Sequence, residues 1–229
     1  MSGPLRVVVF GATGTAGSAV VRQCLADERI AEVRAITRRP IGIGHPKLRD
    51  IHCHDFAHPE SIAHQLTNVD VCFFCLGTAR RRAGSLAAYR EVTLTYPLVA
   101  ADILRERSPD HTFVHLSAAG AGRSPFTYAK VKGEAEAQLA DNGLKRLFVA
   151  RPGYIRPAPE RRGRGVGALL GRAFYPAVSA SLPGLVIEAD ELARGMIEAA
   201  FGDEPGRLLR SRDLRALADH HPATATHHG

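Results

Sequence analysis

Residues 5–17, LRVVVFGATGTAG, constrain the fold more than any other stretch of the chain. LRVVVF is a nearly continuous apolar run, as suits a strand buried on both faces. It ends directly in glycine, and Gly11, Gly14 and Gly17 follow at intervals of three. Behind them TAGSAVVRQCLAD (15–27) carries apolar residues at helical spacing. A glycine triplet alone is a weak signal. Between a strand and a helix it acquires a mechanical meaning. Gly11 would make the tight turn, Gly14 would let the backbone approach a pyrophosphate, and Gly17 would let the helix pack closely. The N–H groups that open the helix would receive the phosphates. A plain strand-to-helix turn needs at most one glycine, so the pattern points to a bound dinucleotide.

Strand and helix patterns alternate from there. Further strands are expected over 31–37, 48–53, 69–76, 111–118 and 145–153, with helices over 59–66, 85–107 and 127–142. Pro97 should kink the long middle helix or split it, and Gly143 is placed to cap the next one. Such alternation implies right-handed βαβ units. The expected fold class is therefore α/β: a doubly wound, mostly parallel sheet with helices on both faces and a small C-terminal segment on the substrate side. Beyond residue 153 the alternation stops, and 154–188 is rich in Gly, Pro and Arg. A helix over 189–201, a short apolar piece at 207–209 and a weak helix near 213–219 follow. Residues 1–219 read as one dinucleotide-binding domain, with 154–188 as a substrate-side insertion, 189–219 as C-terminal helices and 220–229 as a disordered tail.

Composition excludes several classes. With 45% hydrophobic and 23% charged residues, the 229-residue chain resembles an ordinary globular protein. No apolar run approaches the length of a membrane helix, and Met1–Ser2–Gly3–Pro4 lacks the pattern of a signal peptide. The expectation is a cytoplasmic protein without membrane contact. Cys24, Cys53, Cys72 and Cys75 form no disulfide framework. Cys72 and Cys75 sit three apart in a strand, where side chains point to opposite faces. The formal net charge is +7 and only four of the 30 basic residues are lysine. Yet no nucleic-acid recognition element accompanies the charge. The two arginine loops, 79–84 and 160–165, are expected on the side of a small anionic ligand. Nothing orders the tail histidines into a metal site.

The end of the second strand selects the cofactor. An NAD site usually carries Asp or Glu there for the ribose hydroxyl. Here the residues are Thr37, Arg38 and Arg39. A guanidinium can grip a 2′-phosphate that a carboxylate would repel, so NADP(H) is expected. Asp55 could accept from the adenine amine, with Phe56 beside it. Leu76 ends the fourth strand, and Gly77 and Thr78 follow it, where the backbone would pass the ribose. Thr13 and Thr15 lie in the glycine turn itself.

Tyr128 and Lys132 open the helix that follows Ser117. Four residues apart, they share a helical face. A cation beside a phenol favours the phenolate, so Tyr128 could exchange a proton with a substrate oxygen. Lys132 would tune it and hold the nicotinamide ribose, and Ser117 would hydrogen-bond the same substrate oxygen. Hydride transfer would belong to the cofactor.

GATGTAG, FCLGTARRRAG, LSAAGA, YAKVKGEAE and ARPGYI together resemble the short-chain dehydrogenase/reductase family over roughly residues 5–200, and most closely its atypical branch related to the Tat-interacting protein. The resemblance implies a Rossmann sheet, NADP(H), and a Ser117–Tyr128–Lys132 catalytic group. It also implies that the backbone of Pro152–Gly153–Tyr154 meets the nicotinamide amide. Many members carry Asn or Asp on the middle helix where this chain has Thr93. The leading expectation is an NADP-dependent oxidoreductase acting on a small carbonyl or alcohol. The alternatives are a cofactor-binding regulator or redox sensor without turnover, and an epimerase or dehydratase. Monomer and homodimer both stay open.

Overall fold

The computed structural model describes residues 3–158 and 186–221. The strands are β1 (Leu5–Phe10), β2 (Ile30–Thr37), β3 (Leu48–His52), β4 (Val71–Phe74), β5 (Thr112–Leu116), β6 (Arg146–Arg151), β7 (Tyr154–Arg156), β8 (Val186–Glu188) and β9 (Leu208–Arg210). The α-helices are α1 (Thr15–Ala26), α2 (Leu86–Arg90), α3 (Tyr96–Arg107), α4 (Thr127–Ala140), α5 (Ala189–Phe201) and α6 (Ser211–Ala218). Seven strands form one sheet in the order β3-β2-β1-β4-β5-β6-β9. Every neighbouring pair is parallel, as the alternation demanded. β7 and β8 make a separate parallel ribbon. The strand order reverses between β1 and β4, and at such a switch point a crevice opens at the carboxyl ends of the strands.

Alternation along each strand divides the core. Val7 and Val9 join Phe73 and Cys75 under α1 and α5, whereas Val8 and Phe10 join Cys72 and Phe74 under α3. Cys72 and Cys75 thus sit in different clusters, both as buried free thiols. Burial raises both, Cys75 to about 12.

Four local expectations change. The apolar piece near 207–209 is the seventh strand: Leu208–Arg210 pairs with Val149–Arg151. Its three residues are too few to show a period. The 59–66 segment is a 3-10 helix. A rise of about 2.0 Å per residue instead of 1.5 Å carries eight residues further across the sheet. The 85–107 helix is divided by a π-helical turn, Glu91–Thr95, with Pro97 placed in the first turn of α3. His221, assigned to a disordered tail, is packed: its Nδ1 lies 2.6 Å from Glu198 Oε1, with the side chain 2% exposed. Residues 222–229 and the 160–165 arginine loop lie outside the described residues.

Candidate functional site

The glycine turn is assembled from two distant pieces of chain. Gly11 has φ +77°, and a Cβ there would lie 2.6 Å from both Cα and N of Leu76, just after β4. Gly14 donates its N–H to the Gly11 carbonyl at 2.9 Å. A Cβ on Gly17 would come within 2.2 Å of that same carbonyl. Gly17 therefore packs α1 onto the turn itself. Gly14 is the N-cap of α1, with no side-chain cap and no acidic residue in the first turn. The positive end of the helix dipole faces outward there, as an anion requires.

A cleft of about 360 Å³ opens beside the turn. Gly11, Thr13 and Gly14 form one wall, and Arg38, Phe56, Leu76, Gly77 and Thr78 line it from the ends of β2, β3 and β4. Arg82, from the 79–84 arginine loop, also lines it, as do Val92 and Tyr96, which the sequence reading did not assign. Phe56 and Tyr96 hold one end closed, ring centroids 5.6 Å apart. Burial raises the Tyr96 phenol, and Glu91 and Asp55 add to the rise. None of the described lining residues is acidic, and the two charged ones, Arg38 and Arg82, are basic.

Other sequence-derived residues stand outside this cleft. Arg39 is exposed, and its carbonyl accepts from Thr37 Oγ1 at 2.7 Å. Asp55 is exposed, and its carboxylate accepts from the Ala57 amide at 2.8 Å. Thr15 and Gly17 belong to the first turn of α1. The Pro152 carbonyl accepts from the Ala119 amide at 2.8 Å. Gly153 donates its N–H to Ser211 Oγ at 3.1 Å, and Tyr154 is 62% exposed on β7.

Ser117, Tyr128 and Lys132 also lie beyond the cleft lining, at the carboxyl end of β5 and the start of α4. The Ser117 amide continues the ladder past β5, donating to the Ala150 carbonyl at 2.8 Å. Its side chain is buried, and its Oγ has no hydrogen-bond partner among the described residues. Tyr128 is 40% exposed. Its ring stacks on Phe126 at 5.8 Å, and its carbonyl lies 3.4 Å from the hydroxyl of buried Tyr89, which donates to it. Burial raises that Tyr89 phenol, and the Thr93 hydroxyl opposes the rise. Lys132 is half-buried one turn along α4. Burial lowers its ammonium, and the nearby Glu136 carboxylate opposes this. Glu136 is itself held by Arg151 Nε at 2.9 and 3.0 Å. Gly133 lets α4 come close: a Cβ there would sit 2.4 Å from the Gly122 Cα.

A family model described as NAD(P)H-binding matches residues 11–179, well over half of the chain. The chain belongs to that family. Protein HTATIP2 of Rattus norvegicus is 29% identical over 206 residues, covering 88% of this chain and 84% of that protein. Protein FMP52, mitochondrial, of Eremothecium gossypii is 28% identical over 221 residues, covering 93% and 97%. Within the NAD(P)H-binding family the chain is thus an atypical short-chain dehydrogenase/reductase of the HTATIP2 branch. Among solved structures, a short-chain dehydrogenase from Burkholderia cenocepacia in complex with NADP has a TM-score of 0.67 at 15% identity, over 93% of this chain and 91% of that one. A UDP-N-acetylglucosamine 4-epimerase from Methanobrevibacter ruminantium also reaches 0.67, at 17% identity, over 91% and 77%. At such identities they share the fold. The expectation of a cytoplasmic protein is overturned: the FMP52 relatives from Eremothecium gossypii, Candida albicans and Saccharomyces cerevisiae are all named mitochondrial. Among the described residues no helix is long and apolar enough to cross a membrane.

The NAD(P)H-binding assignment agrees with the cleft. Side chains at Gly11 and Gly17 would collide with backbone, the α1 N-terminus lacks an acid, and the charged lining is positive.

Proposed function

We propose that this protein is an NADP(H)-dependent oxidoreductase acting on a small carbonyl or alcohol substrate. The observation that carries the reading is Ser117: a buried hydroxyl without a partner among the described residues, at the carboxyl end of β5, where α4 begins with Tyr128 and Lys132. A buried polar atom left unpaired costs about 1–3 kcal/mol, which a substrate oxygen would relieve. The bound nicotinamide supplies the hydride chemistry. Ser117 donates to the substrate oxygen and fixes its position. Tyr128 Oη gives that oxygen a proton in reduction and takes it back in oxidation. Lys132, one turn on, favours the phenolate by its charge. In the cleft, Arg38 and the amides that open α1 receive phosphates, and the absence of a lining carboxylate supports NADP(H) over NAD(H).

Calorimetry with NADPH and NADH checks the cofactor, with tighter NADPH binding expected. Arg38→Asp should weaken NADPH binding at least tenfold and leave NADH nearly unchanged. Turnover is tested by single-turnover oxidation of bound NADPH across a panel of aldehydes, ketones and quinones. Tyr128→Phe should slow it about 10²–10⁴-fold while NADPH affinity stays the same. Full activity in Tyr128→Phe removes the proton-transfer role. Bound NADPH that no carbonyl oxidises turns the assignment to a cofactor-controlled regulator. That second reading is supported by Thr93, which stands where many relatives of this class have Asn or Asp.

A further inference from the structure

β5 carries a second buried polar group that the proposed reaction does not use. His115 is 3% exposed. Both ring nitrogens are buried and have no hydrogen-bond partner among the described residues. Its neighbour on the sheet is an aromatic ring, Phe74, with centroids 6.0 Å apart. Two unsatisfied nitrogens in an apolar strand are costly. Leucine would fill the position without that cost.

The register of α4 against β5 indicates what the imidazole meets. Phe113 and Leu139 belong to one core cluster, so α4 packs on the face of β5 that carries Phe113. By strand alternation that face also carries His115 and Ser117. α4 returns the chain from the carboxyl end of β5 and so runs antiparallel to it. Two residues up the strand from Phe113, about 6.6 Å, is His115. Two turns back along the helix from Leu139, about 10.5 Å, is Lys132. Lys132 thus comes toward this end of β5, near enough for its charge to act on the imidazole. The carboxylate nearest to it, Glu136, is taken by Arg151.

We infer that His115 is a positioning residue for Lys132: a neutral imidazole that accepts a hydrogen bond from the ammonium through one internal water, and holds it toward Tyr128. A carboxylate in this place would also hold the ammonium but would cancel its charge. Neutral imidazole holds it and leaves the charge available to the phenol. The surroundings keep the imidazole neutral: burial lowers it to about 3, and the Lys132 ammonium adds to the effect. Among the described residues this side of the sheet carries Cys72, Tyr96 and His111 besides Lys132, Glu136 and Arg151, with Tyr128 beyond. The pairing is argued from the packing, and its catalytic use rests on the reading of Lys132 given above.

The test reads Lys132 in the cofactor-free and substrate-free protein. The chain has four lysines, Lys47, Lys130, Lys132 and Lys145, so 13Cε-lysine labelling gives four resonances. The Lys132→Arg variant assigns the one in question. A hydrogen bond to the charged form favours it. His115→Leu should therefore lower the Lys132 titration midpoint by about one pH unit or more, and His115→Asn, which keeps an acceptor, should stay near wild type. The contact is refuted by an unchanged or raised midpoint in His115→Leu, or by equal shifts in the two variants. Because no turnover is involved, failure here leaves the Tyr128 experiment standing. Failure of the Tyr128 experiment likewise leaves the titration intact.

Discussion

A Cβ on Gly17 meets a carbonyl oxygen at 2.2 Å, and neither partner is a flexible side-chain end. Gly17→Ala must push α1 off the turn. Overpacking of this kind typically costs about 1–3 kcal/mol. A lower urea midpoint with unchanged slope is expected, together with weaker cofactor binding, because the displaced helix carries with it the amides proposed to face phosphate. Gly14 gives a useful contrast. There a Cβ would meet only the Gly11 carbonyl, at 3.2 Å, so Gly14→Ala should disturb cofactor binding more than folding. All three glycines are legible in the sequence because strand, turn and helix follow one another without interruption. Tyr96 is different. Its place on the cleft depends on the π turn at Glu91–Thr95. Its extra residue rotates every later side chain relative to an ideal helix, and a reading at 3.6-residue spacing through 85–107 loses the phase there.

Among the elements, α5 is held by its end as well as by its face. Arg146, at the start of β6, reaches the carbonyls of Ala199, Ala200 and Glu204 at 3.4, 3.0 and 3.0 Å, and that of Gly202 more closely still. Its guanidinium also lies over the Phe148 ring, 5.2 Å from the centroid. The Ala199 and Ala200 carbonyls are among those a helix leaves unpaired at its C-terminus. Arg146→Ala should lower stability by about 1–3 kcal/mol, measured as a shift in the urea midpoint. Arg146→Lys should recover only part of it, since an ammonium cannot span the same fork. The sequence shows α5 plainly, through a continuous helical pattern. It hides β9, whose three residues form a strand only because β6 offers a free edge and Gly206 lets the backbone lie against Leu147.

For the whole molecule, acid sensitivity follows from buried histidines. His111 and His115 are both held below the ordinary imidazole value by burial, His115 at about 3. The unfolded chain binds protons at these sites near pH 6.5, the native protein only at lower pH. Stability therefore falls as pH drops from about 6.5 toward those native values, by about 1 kcal/mol per pH unit for each histidine. Asp27 acts in the same direction lower down. Arg29 bonds overcome burial to lower its carboxyl, so that stabilisation is lost as the pH falls below the usual carboxylate range. Urea midpoints at pH 7.5 and 5.0 should differ markedly, and His115→Leu should flatten the dependence. A further consequence lies in the contact between Gly11 and Leu76. The turn proposed to receive phosphate is completed by backbone from beyond β4, so no early segment of the chain should bind cofactor. Binding competence arrives only when β1 and β4 have paired. By linkage a dinucleotide then opposes their separation, so amide exchange along these two central strands should slow most when cofactor is added.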